Sequence, residues 1–133
     1  MNLTVRKLSI LLAIPFLSAC VNGVSVVSDN TTSVAAVSNM TSTSISFSCQ
    51  KCVGTKTYSI SIKEEMSTTI KADVTIDDGS LTFTIKNADK EEIYSEKLNA
   101  SANYEIPLNS TGKYQITINH DQFKGSYKLN WAK

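Results

Sequence analysis

The sequence predicts an all-β fold, a single small antiparallel β-sandwich of about seven strands that follows a disordered tether. Three observations carry this reading. From Phe47 onward, apolar residues alternate with polar ones, the mark of strands with one buried and one wet face. Turn-forming residues separate these runs at regular intervals. No window carries the repeat of an amphipathic helix of useful length.

Taken in order, the chain reads as a tether over residues 20–46. Val21 to Ser46 is built mainly from Ser, Thr, Asn and Val, with one charge (Asp29) and no aromatic residue. Such a composition buries too little surface to order itself, and as a flexible coil it spans roughly 25–30 Å. Val24 to Val27 and Val34 to Val37 have good β propensity, so either is also suited to dock as an edge strand. The sandwich is expected over 47–133. Its runs are Tyr58-Ile60-Ile62, Ile70-Ala72-Val74-Ile76, Leu81-Phe83-Ile85, a shorter Ile93-Tyr94, Tyr104-Ile106-Leu108, Tyr114-Ile116-Ile118 and Tyr127-Leu129-Trp131. Asp78-Gly79 reads as a hairpin turn. Asn87-Ala88-Asp89, Asn109 to Gly112, and His120-Asp121 through Gly125 supply the other breaks. A domain of this size buries about 60% of its unfolded surface, enough for one core and no second domain.

Ahead of the tether, Arg6-Lys7 precedes an apolar run from Leu8 to Phe16 that closes on Leu17-Ser18-Ala19-Cys20. A charged start, a short apolar middle and small residues before the break are the parts of an export signal. The run is shorter than the about 20 residues of a membrane span. With cysteine at the break, the segment closely resembles the lipobox of bacterial lipoproteins. That resemblance implies that residues 1–19 are a signal peptide, cut before Cys20, and that the Cys20 thiol carries diacylglycerol. A further acyl chain, such as palmitate, joins the new amino group in many members. Two or three chains give stable attachment, so the expected address is the bacterial cell envelope, lipid-anchored. Val21-Asn22 lacks the Asp that holds many enterobacterial lipoproteins at the inner membrane. In an organism with two membranes this implies the outer one, and otherwise the cell membrane, facing outward.

Removing Arg6 and Lys7 from the 13 basic residues leaves 11 against 12 acidic ones, a net charge of −1 with no Arg. The lysines are spread singly among acids, which argues against nucleic acid as a partner. With Cys20 assigned to lipid, Cys49 and Cys52 remain, and an even remainder in an exported chain suggests a disulfide. So short a loop gives about 2 kcal/mol in the chain-entropy model, more a pin at the domain's entry than a core element. The alternative is a redox pair, which needs a thiolate at a helix start; the surrounding pattern is of strands. No second Cys/His pair completes a metal site, and no cofactor is expected.

The order of Asp78-Gly79-Ser80-Leu81-Thr82-Phe83, Gly112-Lys113-Tyr114-Gln115-Ile116-Thr117-Ile118 and Gly125-Ser126-Tyr127-Lys128-Leu129 resembles the bacterial pre-peptidase C-terminal type of β-sandwich. The resemblance covers Thr57 to Trp131 and implies a jelly-roll-like accessory domain without catalytic residues.

The search for a site starts with aromatic residues, since sugar-binding sandwiches expose them. Tyr127, Leu129 and Trp131 share one strand face and read as core. Tyr94, opposite Ile93, and Phe123, in the expected last loop, are the two candidates for a ligand-facing ring. Asp73, Asp77 and Asp78 offer oxygen ligands to calcium, but EF-hand spacing is absent. Glu64-Glu65 and Glu91-Glu92 point to opposite strand faces and read as edge charges. His120 beside Asp121 reads as a surface turn histidine, with no nucleophile elbow to serve. The expectation is a non-catalytic envelope lipoprotein with a protein-binding or structural role. The alternative is a carbohydrate-binding module or cell-wall adhesin, and less favoured still is a redox protein using Cys49 and Cys52.

Overall fold

A computed structural model describes residues 20, 21 and 23–133. The leader expected over 1–19 lies outside the described residues, as does the side chain of the expected acylation site, Cys20. The described chain is all β: β1 (Cys20–Val21), β2 (Val24–Asp29), β3 (Thr32–Val34), β4 (Val37–Thr41), β5 (Ser44–Ile62), β6 (Thr69–Lys86), β7 (Glu92–Leu98), β8 (Ala102–Pro107) and β9 (Gly112–Asn130). Every pairing is antiparallel.

Three long strands form the centre, with β9 between β5 and β6. Strands β2, β3 and β4 follow one another along β5 and, with β1 paired outside β2, make one edge. Strands β7 and β8 do the same along β6 and make the other. Each long strand changes the phase of its burial once. On β5 the inward residues are Ile45, Phe47 and Cys49, then Cys52, Lys56, Tyr58, Ile60 and Ile62. On β6 they pass from Ile70, Ala72 and Val74 to Leu81, Phe83 and Ile85. On β9 they pass from Tyr114, Ile116, Ile118 and His120 to Phe123, Tyr127 and Leu129. Because side chains alternate strictly along a strand, an extra residue must be inserted at each change. The sheet therefore folds over along one crease into two layers whose inner faces meet. Phe83 of one layer lies edge-on to Tyr127 of the other, with centroids 5.7 Å apart.

The crease explains why the first and the last of the turn signals are not turns. Asp78-Gly79 and the stretch from Asp121 to Gly125 are irregularities within continuous strands, with register shifts between β9 and β6 at 121–125. Gly79 has φ +77°, and a Cβ there would drive into the carbonyls of Gln122 and Asp121. Gly125 has φ +147°, and a Cβ there would strike the carbonyl of Thr75. Glycine is needed where backbone comes this close. The expected runs 70–76 and 81–85 are thus two halves of one strand, as are 114–118 and 127–131.

Cys49 and Cys52 form a disulfide. It lies at the β5 phase change, mid-strand, and not at the domain's entry. The insertion turns both cysteines inward, where they are 4% and 0% exposed.

The tether expected over 20–46 is a correction. From Val24 the chain is paired to β5, with Val24 itself buried, so the sandwich starts about 20 residues before Phe47. An edge strand needs to bury one narrow face only, and main-chain pairing with β5 supplies order that composition alone does not reveal. Trp131, Tyr58, Tyr127, Phe83 and Phe123 are the largest fully buried side chains, each contributing about 1.5–3 kcal/mol by removal from water.

Candidate functional site

The outer face of the layer built from the first half of β5 carries a shallow groove. Register places Val37, Ser48, Ser126 and Thr75 in one row across β4, β5, β9 and β6. The next row is Asn39, Ser46, Lys128, Asp73 and Asn103. Small side chains in the first row leave depressions of 260 and 220 Å³ that share Ser48, Thr75 and Ser126. Asp73 and Lys128 wall the first, and Gln50, Asp77 and Lys124 wall the second, towards the crease. The floor is hydroxyl-rich, and each hydroxyl donates one hydrogen bond and accepts up to two.

Inside the crease lies a polar cluster. The Lys56 side chain is 8% exposed, with Nζ 3.6 Å from Asp29 Oδ2. Nζ also lies 5.0 Å from the Phe47 ring centroid and 5.4 Å from that of Tyr58, where the ring faces attract a cation. Burial raises the Asp29 carboxyl, but hydrogen bonds from the Thr31 hydroxyl and N–H, with the Lys56 charge, hold it below its ordinary value. His120, 1% exposed, places Nδ1 2.9 Å from the Gly54 carbonyl and Nε2 3.2 Å from the Tyr127 hydroxyl. A carbonyl only accepts, so Nδ1 carries the proton and the Tyr127 O–H donates to Nε2 of the neutral ring. Burial lowers the His120 pKa, and nearby Lys56 adds to this against opposing effects of Gly54 and Asp29. Burial pushes the Tyr58 hydroxyl up to about 12, and Tyr127 well above its ordinary value.

The expected site residues fall elsewhere. Phe123 is 0% exposed, packed near His120 and Tyr127, because the stretch read as a loop is a bulged strand that turns its ring inward. Tyr94 is half-buried and stacks on Tyr104 between the layers, with centroids 6.3 Å apart. Its hydroxyl donates to Glu96 Oε1 at 3.1 Å, and the exposed residue of its pair is Ile93. His120 is a core residue, a correction to the surface turn expected for it. Among the described residues no three His, Cys, Asp or Glu side chains converge as a metal site, Asp73, Asp77 and Asp78 included.

The groove was not singled out from the sequence, because serines mark nothing until register aligns them across strands. Lys56 had a faint signal: it falls on an inward position of the β5 alternation, beside Tyr58.

No known family and no curated protein matches this chain. Among solved structures it is similar to PirA, at 11% identity over 70% of this chain and 96% of that one, TM-score 0.45. It is similar to the module TmCBM61 in complex with β-1,4-galactotriose, at 14% identity over 82% and 84%, TM-score 0.41. A mutant of the family 29 carbohydrate-binding module CBM29-2 matches at 11% identity over 83% and 74%, TM-score 0.44. Likeness at this level says nothing of ligands.

Proposed function

We propose that this chain is a non-catalytic binding module of the bacterial envelope, held at a membrane through an acylated Cys20, whose groove takes an extended segment of a partner protein. One observation carries the choice of partner. Of the aromatic residues described, all are buried except Tyr94 and Tyr104, and those two stack on each other. A sugar platform needs a ring face open to the groove, and the rings that border it, Phe47 and Tyr127, are buried, so this surface offers hydroxyls and a charged wall instead.

Binding is preferred to catalysis because the groove's carboxylates are badly placed for acid–base work. Asp73 walls one depression and Asp77 the other, so neither depression holds a pair of carboxylates. The lipobox resemblance supports the anchor. Since Cys20 itself begins β1, which pairs with β2, no length of chain separates it from the sandwich, so the domain would sit against the lipid surface.

The test is an envelope pull-down with the wild-type chain and Ser126→Trp, which fills the groove, with polysaccharide retention measured alongside. One protein enriched by the wild type and lost with Ser126→Trp supports the reading. Retention of polysaccharide instead would favour the second reading, a carbohydrate-binding module, which the hydroxyl floor also suits. For the anchor, Cys20→Ser is expected to shift the chain out of the membrane fraction.

A further inference from the structure

The two edges of the sheet are guarded very differently. Along β7 and β8 and the turn before them lie Lys90, Glu91, Glu92, Glu96, Lys97, Glu105 and Pro107, the charges and proline that discourage strand addition. Along β3 and β4 there is no charge at all: Asn30 to Gln50 contains no Asp, Glu, Lys or Arg. Among the described residues, strand β4 pairs with β5 on one side only and is exposed along nearly its whole length. Two outward valines mark the same edge, Val34 at 58% and Val37 at 65% exposed.

We infer that copies of this chain pair edge to edge through β4, antiparallel about a two-fold axis at Asn39. An uncharged strand meets its own image without like-charge cost, whereas a charged segment from another protein finds nothing here to complement its charges. The antiparallel register is self-consistent: Val37 lies opposite Thr41 of the second copy, Ser38 opposite Met40, and Asn39 opposite itself. β-Branched pairs of this kind are favourable across strands. Pairing joins the two layers into one continuous sheet, covers Val37, and sets the two grooves side by side. A two-fold contact of this sort closes and does not propagate. Five paired residues fall short of the roughly 1,200 Å² of a standard stable interface, so the dimer is weak and concentration-dependent. The inference does not depend on what the groove binds.

The test introduces one thiol. Asn39→Cys puts two sulfurs within disulfide reach across the axis, and Ser95→Cys on β7 is the collision control. The full-length chain is expressed in bacteria and oxidised in isolated membranes, with the wild type reporting any background from Cys20. Asn39→Cys is expected to give a disulfide dimer at about tenfold the yield of Ser95→Cys. Adding Val37→Lys and Thr41→Lys sets like charges opposite each other and is expected to abolish it. Equal yields from both thiols, no dimer from a protease-resistant Asn39→Cys chain, or a mixed disulfide with another protein would overturn the inference. If the lysine variant does not fold, the comparison of the two thiols decides alone.

Discussion

Lys56 and Asp29 face each other across the β2–β5 pairing, Nζ 3.6 Å from Oδ2, the ammonium buried and the carboxylate 42% exposed. Pairing a buried cation in this way does little for stability by itself, because desolvation offsets the attraction. Removing one partner is different. Asp29→Ala leaves Lys56 uncompensated among Phe47 and Tyr58, and is expected to lower stability by about 1–3 kcal/mol, below the range for fully buried pairs because Asp29 is partly solvated. Lys56→Met, which keeps the apolar stem, is expected to be close to neutral. Asp29→Ala on the Lys56→Met background should then cost far less than alone. Urea denaturation of the four chains measures this coupling, and additive losses would refute it.

His120 gives the fold a pH dependence. Its native pKa is lowered by burial, so in the folded state it stays neutral below the pH at which the unfolded chain takes up a proton. The unfolded state then binds more protons, and stability falls as pH falls below about 6.5. One group sets an upper slope of about 1.4 kcal/mol per pH unit. The charged groups facing it are Lys56 and Asp29. Asp29, held below its usual value, adds stability that is lost only at more acid pH, as the carboxylate protonates. Denaturation midpoints between pH 7.5 and 5.5 are expected to drop for the wild type and stay flat for His120→Gln. A drop of equal size in both would place the effect elsewhere.

The layered β architecture was legible because alternation records which residues face the core, and Tyr58, Ile60, Ile62, Leu81, Phe83 and Ile85 are all buried as that pattern requires. The crease was not. Asp78-Gly79 has the composition of a hairpin turn, and only the closeness of the Gln122 carbonyl distinguishes a bulge from a reversal. Reading 120–125 as a loop placed Phe123 and His120 at the surface, whereas His120 continues the inward alternation of Tyr114, Ile116 and Ile118, and the phase change of one residue sends Phe123 inside. The first edge was obscured for another reason. Strands β3 and β4 bury almost nothing, so no periodicity reports them; main-chain pairing to β5 orders them. The groove depends on cross-strand register, which local patterning does not encode.

If the crease depends on backbone closeness, its glycines should be far less replaceable than the others. Gly79→Ala adds a Cβ against the carbonyls of Gln122 and Asp121, on a residue with φ +77°. The left-handed conformation alone costs an L-residue about 1–2 kcal/mol, and relieving the contact must shift β9 relative to β6. Gly125→Ala meets the Thr75 carbonyl in the same way. Each is expected to cost more than about 2 kcal/mol, a loss typical of backbone strain at a special position. Gly112→Ala is the control, with φ +135° but nothing within 4 Å of the added methyl group. It carries the conformational cost without the collision. Thermal unfolding should therefore rank Gly79→Ala and Gly125→Ala well below Gly112→Ala. Equal melting temperatures for the three would mean that conformation alone, and not the meeting of β6 and β9, makes glycine necessary at the fold line.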